Sequence, residues 1–239
     1  MVTSYVCVDV ETTGLNPKSE NIIEIGAVKV VDGQVVDNFQ SFLKPRKPLE
    51  DRIVALTGIT DEMLADAPTG NLVMPLFAEF CGELPLVGHN LIFDYAFLKR
   101  AMLNEKRSFE RKGVDTLKIA RKYLPELESR NLGFLCQHFD ITHTAHRALG
   151  DARATVQLFE ILKQRFGAKA AKEGCTMFEP KMLVHNAKRE QPITIAQKEQ
   201  IVKYCARLNL VMEQDLNAMT RAEASRFIEK YHAAFKGLE

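Results

Sequence analysis

The sequence predicts an α/β protein in which helices flank a mixed sheet, followed by a small C-terminal helical unit. Three observations point there. Residues 5–43 form three apolar runs rich in β-branched side chains, two of them joined by Asp32-Gly33. From Pro45 to Phe166 short apolar strands alternate with longer amphipathic stretches, the order of a sheet with parallel pairing. From Pro192 to Phe235 only helical periodicity remains.

Tyr5–Val10 is nearly continuous in apolar residues and runs into Glu11-Thr-Thr-Gly14, so it reads as a buried strand ending in a turn. Strands at Ile22–Val31 and Val35–Leu43 flank Asp-Gly, a strong short hairpin signal, and open the chain with mostly antiparallel pairing. After Pro48 come a helix to about Leu56 and a short helix at Asp61–Leu64, which Thr60 can cap. Leu72–Cys81 is an amphipathic helix, Leu84–Gly88 a strand, Leu91–Asn104 a helix, and Val114-Asp115 a short strand before a helix at Leu117–Tyr123. Helices at Asn131–Phe139 and Asp151–Phe166 complete the main domain, residues 1–166. Residues 167–191 read as a linker and 192–239 as a helical module of unknown role. In that module Ile195, Ile201, Val202, Cys205, Leu208 and Leu210 trace an apolar face, and Thr220-Arg-Ala-Glu223 is a capping box.

A length of 239 residues fits one full domain plus an extension. No apolar run approaches the roughly 18 residues that cross a bilayer, and the N-terminus does not read as a signal peptide; a soluble, cytoplasmic protein is expected. Cys7, Cys81, Cys136, Cys175 and Cys205 lack the spacing of a zinc ribbon or redox pair and read as reduced, packed thiols. The net charge of +1 carries no global basic signature, so a nucleic-acid partner has to be held by a local patch or through metal ions. Residues 1–166 sum to −2 and residues 167–239 to +3, which motivates a substrate-docking role for the tail.

Asp9 and Glu11 lie two apart on a strand, so both side chains leave the same face, at the strand's carboxyl end. Taken alone they are either ion ligands or exposed acids. Asp94 falls one turn into a helix among Phe93, Phe97 and Leu98; it is either a metal ligand or a partner of Lys99 or Arg100, since an unpaired buried carboxylate is costly. His146 and Asp151 place a histidine in a loop and an acid at a helix start, where caps and dipole partners also occur. Ala148, Gly150, Ala152 and Ala154 allow that helix to approach the strand carrying Asp9 and Glu11. Together, four carboxylates can hold two hard cations, Mg²⁺ or Mn²⁺, about 3.5–4 Å apart, as phosphodiester cleavage requires. His146 then serves as base, the role an imidazole most often takes. The crowding of His138, His143 and His146 invites a zinc reading, but no fourth ligand is suitably spaced.

Val8-Asp-Val-Glu-Thr-Thr-Gly-Leu15, His89-Asn90 through Asp94, and His146 through Asp151 resemble, in order, the three motifs of the DEDDh (DnaQ-like) 3′→5′ exonuclease family, which includes the epsilon proofreading subunit of bacterial DNA polymerase III. The resemblance covers residues 1–166. It implies a ribonuclease H-like fold and release of nucleoside 5′-monophosphates from 3′ ends. By the same similarity Asp9, Glu11, Asp94 and Asp151 are expected to bind the metals and His146 to act as base. Backbone near Thr12, the side chain of Leu15, Ile59 in Thr57-Gly-Ile-Thr60, and Asn90 are expected to hold or wedge the terminal nucleotide. Thr57 stands where the family often has histidine, as in exonuclease domains embedded in larger polymerases. Single-stranded DNA 3′ ends are the expected substrate, in proofreading, repair or end trimming, with a polymerase or repair complex as a further partner. RNA 3′ ends are the rival within the same chemistry, and an idle nucleic-acid-binding adaptor the rival outside it. The basic residues between Lys99 and Lys122 read either as a strand path or as a solvated helix face.

Overall fold

The computed structural model describes residues 1–143, 146–212 and 215–236. Residues 213, 214 and 237–239 of the expected C-terminal module lie outside them. The described residues divide into two compact units, residues 1–45 with 49–187, and residues 46–48 with 188–239.

The first unit opens with β1 (Tyr5–Thr12), β2 (Ile22–Val31) and β3 (Gln34–Phe42). The hairpin between β2 and β3 turns through Asp32 (φ 50°) and Gly33 (φ 79°), the two left-handed positions of a tight primed turn. Then follow α1 (Asp51–Thr57), α2 (Asp61–Leu64), α3 (Gly70–Cys81), β4 (Leu86–Gly88), α4 (Leu91–Asn104), β5 (Lys112–Asp115), α5 (Thr116–Tyr123), α6 (Leu132–His138), α7 (Ala148–Lys172) and β6 (Lys181–Met182). The six strands form one sheet in the order β3-β2-β1-β4-β5-β6. Pairing is antiparallel across β1, β2 and β3, parallel from β1 through β4 to β5, and antiparallel again at β6. This is the mixed, ribonuclease H-like sheet flanked by helices that the sequence predicts.

Strand alternation divides the core into two layers. Val6, Val8 and Val10 of β1 pack with Met74 and Phe77 of α3 and Tyr95 and Leu98 of α4. Tyr5 and Cys7, on the opposite face, pack with Ala152, Phe159 and Leu162 of α7. The next residues in that second row are Asp9 and Glu11. Gly26 of β2 lies opposite Asp9, and a Cβ there would stand 2.0 Å from the Leu149 nitrogen and 2.1 Å from the Ala148 carbonyl carbon. Glycine is therefore what lets the start of α7 lie directly on the sheet, as the small residues Ala148 and Ala152, both fully buried, also require.

The main unit does not end near Phe166, and residues 167–187 are not a linker. Helix α7 continues to Lys172, Phe178 is 1% exposed, and Lys181–Met182 add an edge strand to β5. Phe178 lies against Phe159 and Tyr123, with ring centroids 6.4 and 6.2 Å away. The weak periodicity of this segment hid a chain whose apolar residues plug the core singly. Phe178→Ala is expected to destabilise the first unit by about 3–5 kcal/mol, measured by urea unfolding; a loss below 1 kcal/mol would restore the linker reading.

In the second unit α8 (Ile195–Leu208) and α9 (Arg221–Lys236) enclose Ile193, Ile201, Met219 and Ala224. The Thr220 capping box forms, with the Thr220 nitrogen donating to Glu223 Oε2 at 2.7 Å and the Glu223 nitrogen donating to Thr220 Oγ1 at 3.2 Å. A second box, Thr194 with Gln197, opens α8. The expected apolar face is corrected: Ile195 and Val202 are 77% and 56% exposed, whereas Ile201 and Tyr204 are buried. Among the described residues no helix is long and apolar enough to cross a membrane.

Candidate active site

Asp9 and Glu11 emerge from the α7 face of β1 at its carboxyl end, and Asp151 reaches them from the first turn of α7. One carboxylate oxygen from each lies within 4.8 Å of the others. Asp94 stands beside this trio at 3% exposure, its Oδ1 accepting the Val10 backbone N–H at 3.0 Å. That bond ties α4 to β1 between the two other acids. The three motifs therefore meet at the carboxyl end of the interior strand β1, although Asp9 and Asp151 are 142 positions apart in sequence.

Polar contacts fix the loops around this edge. Ahead of α4, His89 Nδ1 bonds Thr116 Oγ1 at 2.9 Å and His89 Nε2 bonds the Arg130 carbonyl at 2.8 Å. Asn90 takes a left-handed backbone (φ 68°), and its N–H donates to Asp115 Oδ1 at 3.1 Å. Its side chain is left at the surface. After Glu11, Thr12 Oγ1 donates to the Gly14 carbonyl at 2.7 Å, and Thr13 Oγ1 donates to Glu20 Oε2 at 2.7 Å. Arg100 of α4 donates to the carbonyls of Pro17 and Glu20. The loop so held presents Leu15 to solvent, 82% exposed.

The cluster is electrostatically unsatisfied. Burial raises the Asp9 carboxyl well above the usual range, and Asp94, Asp151 and Glu11 add to the effect. Glu11 is pushed up to about 7 by burial, then by Asp151 and Glu24, with Arg147 opposing. Burial likewise raises Asp94, opposed by the Val10 N–H. Acceptor-only oxygens crowded this closely fit a hard divalent cation, whose charge removes the penalty. Because these groups bind protons more tightly in the folded state, the stability they give is complete below the unfolded carboxylate pKa, about 4, and is lost as pH rises through the folded values, about 7 for Glu11. A saturating cation is thus expected to raise Tm more at pH 8 than at pH 5.5. Equal gains by calorimetry at both pH values would exclude a cation at these carboxylates.

The histidines separate. His146 is exposed, with a left-handed backbone (φ 62°), while His143 places Nε2 against Asp151 Oδ1. Spacing in the sequence carries no signal for the contact between His143 and Asp151. His138 is exposed beside Phe134 and Phe139. Ile59 is fully buried with Ile23, Leu49, Ile53 and Leu64, so its side chain is not presented to a nucleotide here. Several of the Lys99–Lys122 cations are engaged by neighbouring groups. Lys99 pairs with Glu110, Arg111 lies 4.7 Å above the Phe109 ring, and Lys122 pairs with Glu173. Arg100 is turned inward to the loop carbonyls.

An acidic centre at the carboxyl end of an interior strand of a ribonuclease H-like sheet defines a hydrolase of the nuclease class. The chain belongs to the exonuclease family: residues 6–159 match the RNase_T model, described as "Exonuclease". Among curated relatives it is 39% identical over 180 residues to a PolC-type DNA polymerase III of Clostridium perfringens, covering 75% of this chain and 12% of that protein. It is 44% identical over 158 residues to the PolC-type DNA polymerase III of Bacillus subtilis, covering 65% and 11%. The chain thus spans about an eighth of the length of these relatives. Among solved structures, exonuclease X bound to 5′-overhanging duplex DNA aligns with 68% of this chain and 93% of its own, at 27% identity and a TM-score of 0.57. Escherichia coli exonuclease I with a dT13 oligonucleotide shares the fold, at 18% identity and a TM-score of 0.63, over 72% of this chain and 43% of its own.

Proposed function

We propose that this protein is a metal-dependent 3′→5′ exonuclease that removes nucleoside 5′-monophosphates from single-stranded DNA. The observation that carries this reading is the convergence of Asp9, Glu11 and Asp151 within 4.8 Å, with Asp94 buried beside them. These four carboxylates would hold two Mg²⁺ or Mn²⁺ ions. Bound there, the ions supply Lewis acidity at the attacking water and at the departing 3′-oxygen. His146 accepts the proton of that water at a ring nitrogen, and its exposed position leaves the ring open to a substrate-bound water. Leu15, on its pinned loop, meets the terminal base, while backbone at Thr12 and the exposed Asn90 side chain hold the sugar-phosphate. The PolC-type relatives and the DNA-bound neighbours favour a proofreading, repair or end-trimming role beside a polymerase or repair complex in the cytoplasm.

The test is a time course with Mg²⁺ on 5′-labelled single-stranded DNA and RNA of one sequence, with Asp9→Ala protein alongside. A ladder shortening from the 3′ end, faster on DNA and absent in the variant, is the expected result. A faster RNA ladder would make the protein an exoribonuclease. Cleavage of neither, with Mn²⁺ also tried, would leave an idle binding module.

A further inference from the structure

We infer that Glu24, a fully buried carboxylate on β2 that belongs to none of the three motifs, is a positioning residue that holds His146 at the mouth of the carboxylate cluster; this rests on the exonuclease reading above. Glu24 is 0% exposed and sits opposite Glu11 in the β1–β2 register, on the face covered by α7. Both its oxygens are taken by donors. Oε1 accepts from Gln40 Nε2 at 2.8 Å and Arg147 Nη2 at 3.1 Å. Oε2 accepts from Arg147 Nε at 3.3 Å and the Ala148 backbone N–H at 3.2 Å. The two Arg147 bonds form a bidentate fork, which fixes direction as well as distance. Arg147 is further steadied over the Phe42 ring, 5.5 Å from its centroid, and its own N–H donates to Asp151 Oδ2 at 3.2 Å.

These contacts grip the two residues that follow His146. A non-glycine residue at φ 62° is strained and persists only where its surroundings impose it. The Glu24 clamp is a restraint of that kind, since it fixes where the chain leaves His146 and enters α7. An acceptor-only group is required. With four donors converging on two oxygens, a glutamine amide would set N–H against N–H on whichever side it turned.

The test is a double-mutant cycle on kcat with Glu24→Gln and His146→Ala, supported by hydrogen exchange without substrate. Glu24→Gln is expected to lower kcat about 10- to 100-fold, the usual effect of losing an orienting partner, with little change in KM. In the His146→Ala background it should lower kcat less than twofold. Exchange at the Arg147 and Ala148 amides should quicken while that of β1 stays slow. Arg147→Met, which removes the fork from its more exposed end, should reproduce the kcat loss if Glu24→Gln folds poorly. An equal loss in both backgrounds, or unchanged exchange at Arg147 and Ala148, would overturn the proposal. A wild-type protein without nuclease activity would instead refute the exonuclease reading, and the exchange measurement would still decide whether Glu24 clamps this segment.

Discussion

Asp151→Asn is expected to lower turnover by at least about 10³-fold, the loss of several kcal/mol of charge stabilisation at about 1.4 kcal/mol per decade. The substitution keeps shape and removes charge. Asp151 is 7% exposed in the first turn of α7, where a neutral amide still fits the space and can still accept the Arg147 N–H. What it cannot supply is the third anionic group of the trio with Asp9 and Glu11. Relieving that repulsion also brings the Asp9 and Glu11 carboxyls back toward their ordinary range, since Asp151 is among the causes raising both. The metal-free variant should therefore be as stable as the wild type, or more so, at pH 8, while titration calorimetry shows much weaker Mn²⁺ binding. Unaltered Mn²⁺ affinity together with full activity would remove Asp151 from the site.

His146→Ala should have the opposite signature: Mn²⁺ affinity largely kept, and cleavage slowed about 10²- to 10⁴-fold, the range for loss of a positioned base. His146 is exposed and is not one of the clustered carboxylates, so its removal leaves the oxygen set unaltered. His143→Ala is the informative companion. The His143 ring lies against an Asp151 oxygen but stands outside the carboxylate trio, so its loss should leave cleavage nearly intact and should not weaken Mn²⁺ binding. If His143→Ala proves the slower enzyme, the proton acceptor is His143 and the assignment moves three residues along the loop.

Much of this architecture is legible in the sequence because it rests on local rules. The Asp32-Gly33 turn, the alternation that sets Asp9 and Glu11 on one face, and the Thr220–Glu223 box each depend on a few adjacent residues. The segment 167–187 is not legible in this way. Phe178 and the two-residue strand β6 have no period to display, and they matter only because a gap in the core and a free edge of β5 await them. Ile195 and Val202 fail for the reverse reason. They continue an apolar pattern on α8, but the turn of the helix carries them past its contact with α9.

By itself the sequence determined the order of elements from β1 to α7 and the family, and it singled out the candidate acids, which lie in contiguous motifs of fewer than ten residues. Only the tertiary structure decided that His143 contacts Asp151, that Ile59 is enclosed, and that Glu24 grips Arg147 across 123 residues of chain. Those relations depend on which side chains a closed core forces together. Glu24 illustrates the difference: in sequence it is a lone acid in an apolar strand, and its four donors come from two segments, β3 and the start of α7, that converge on it only when α7 settles on Gly26.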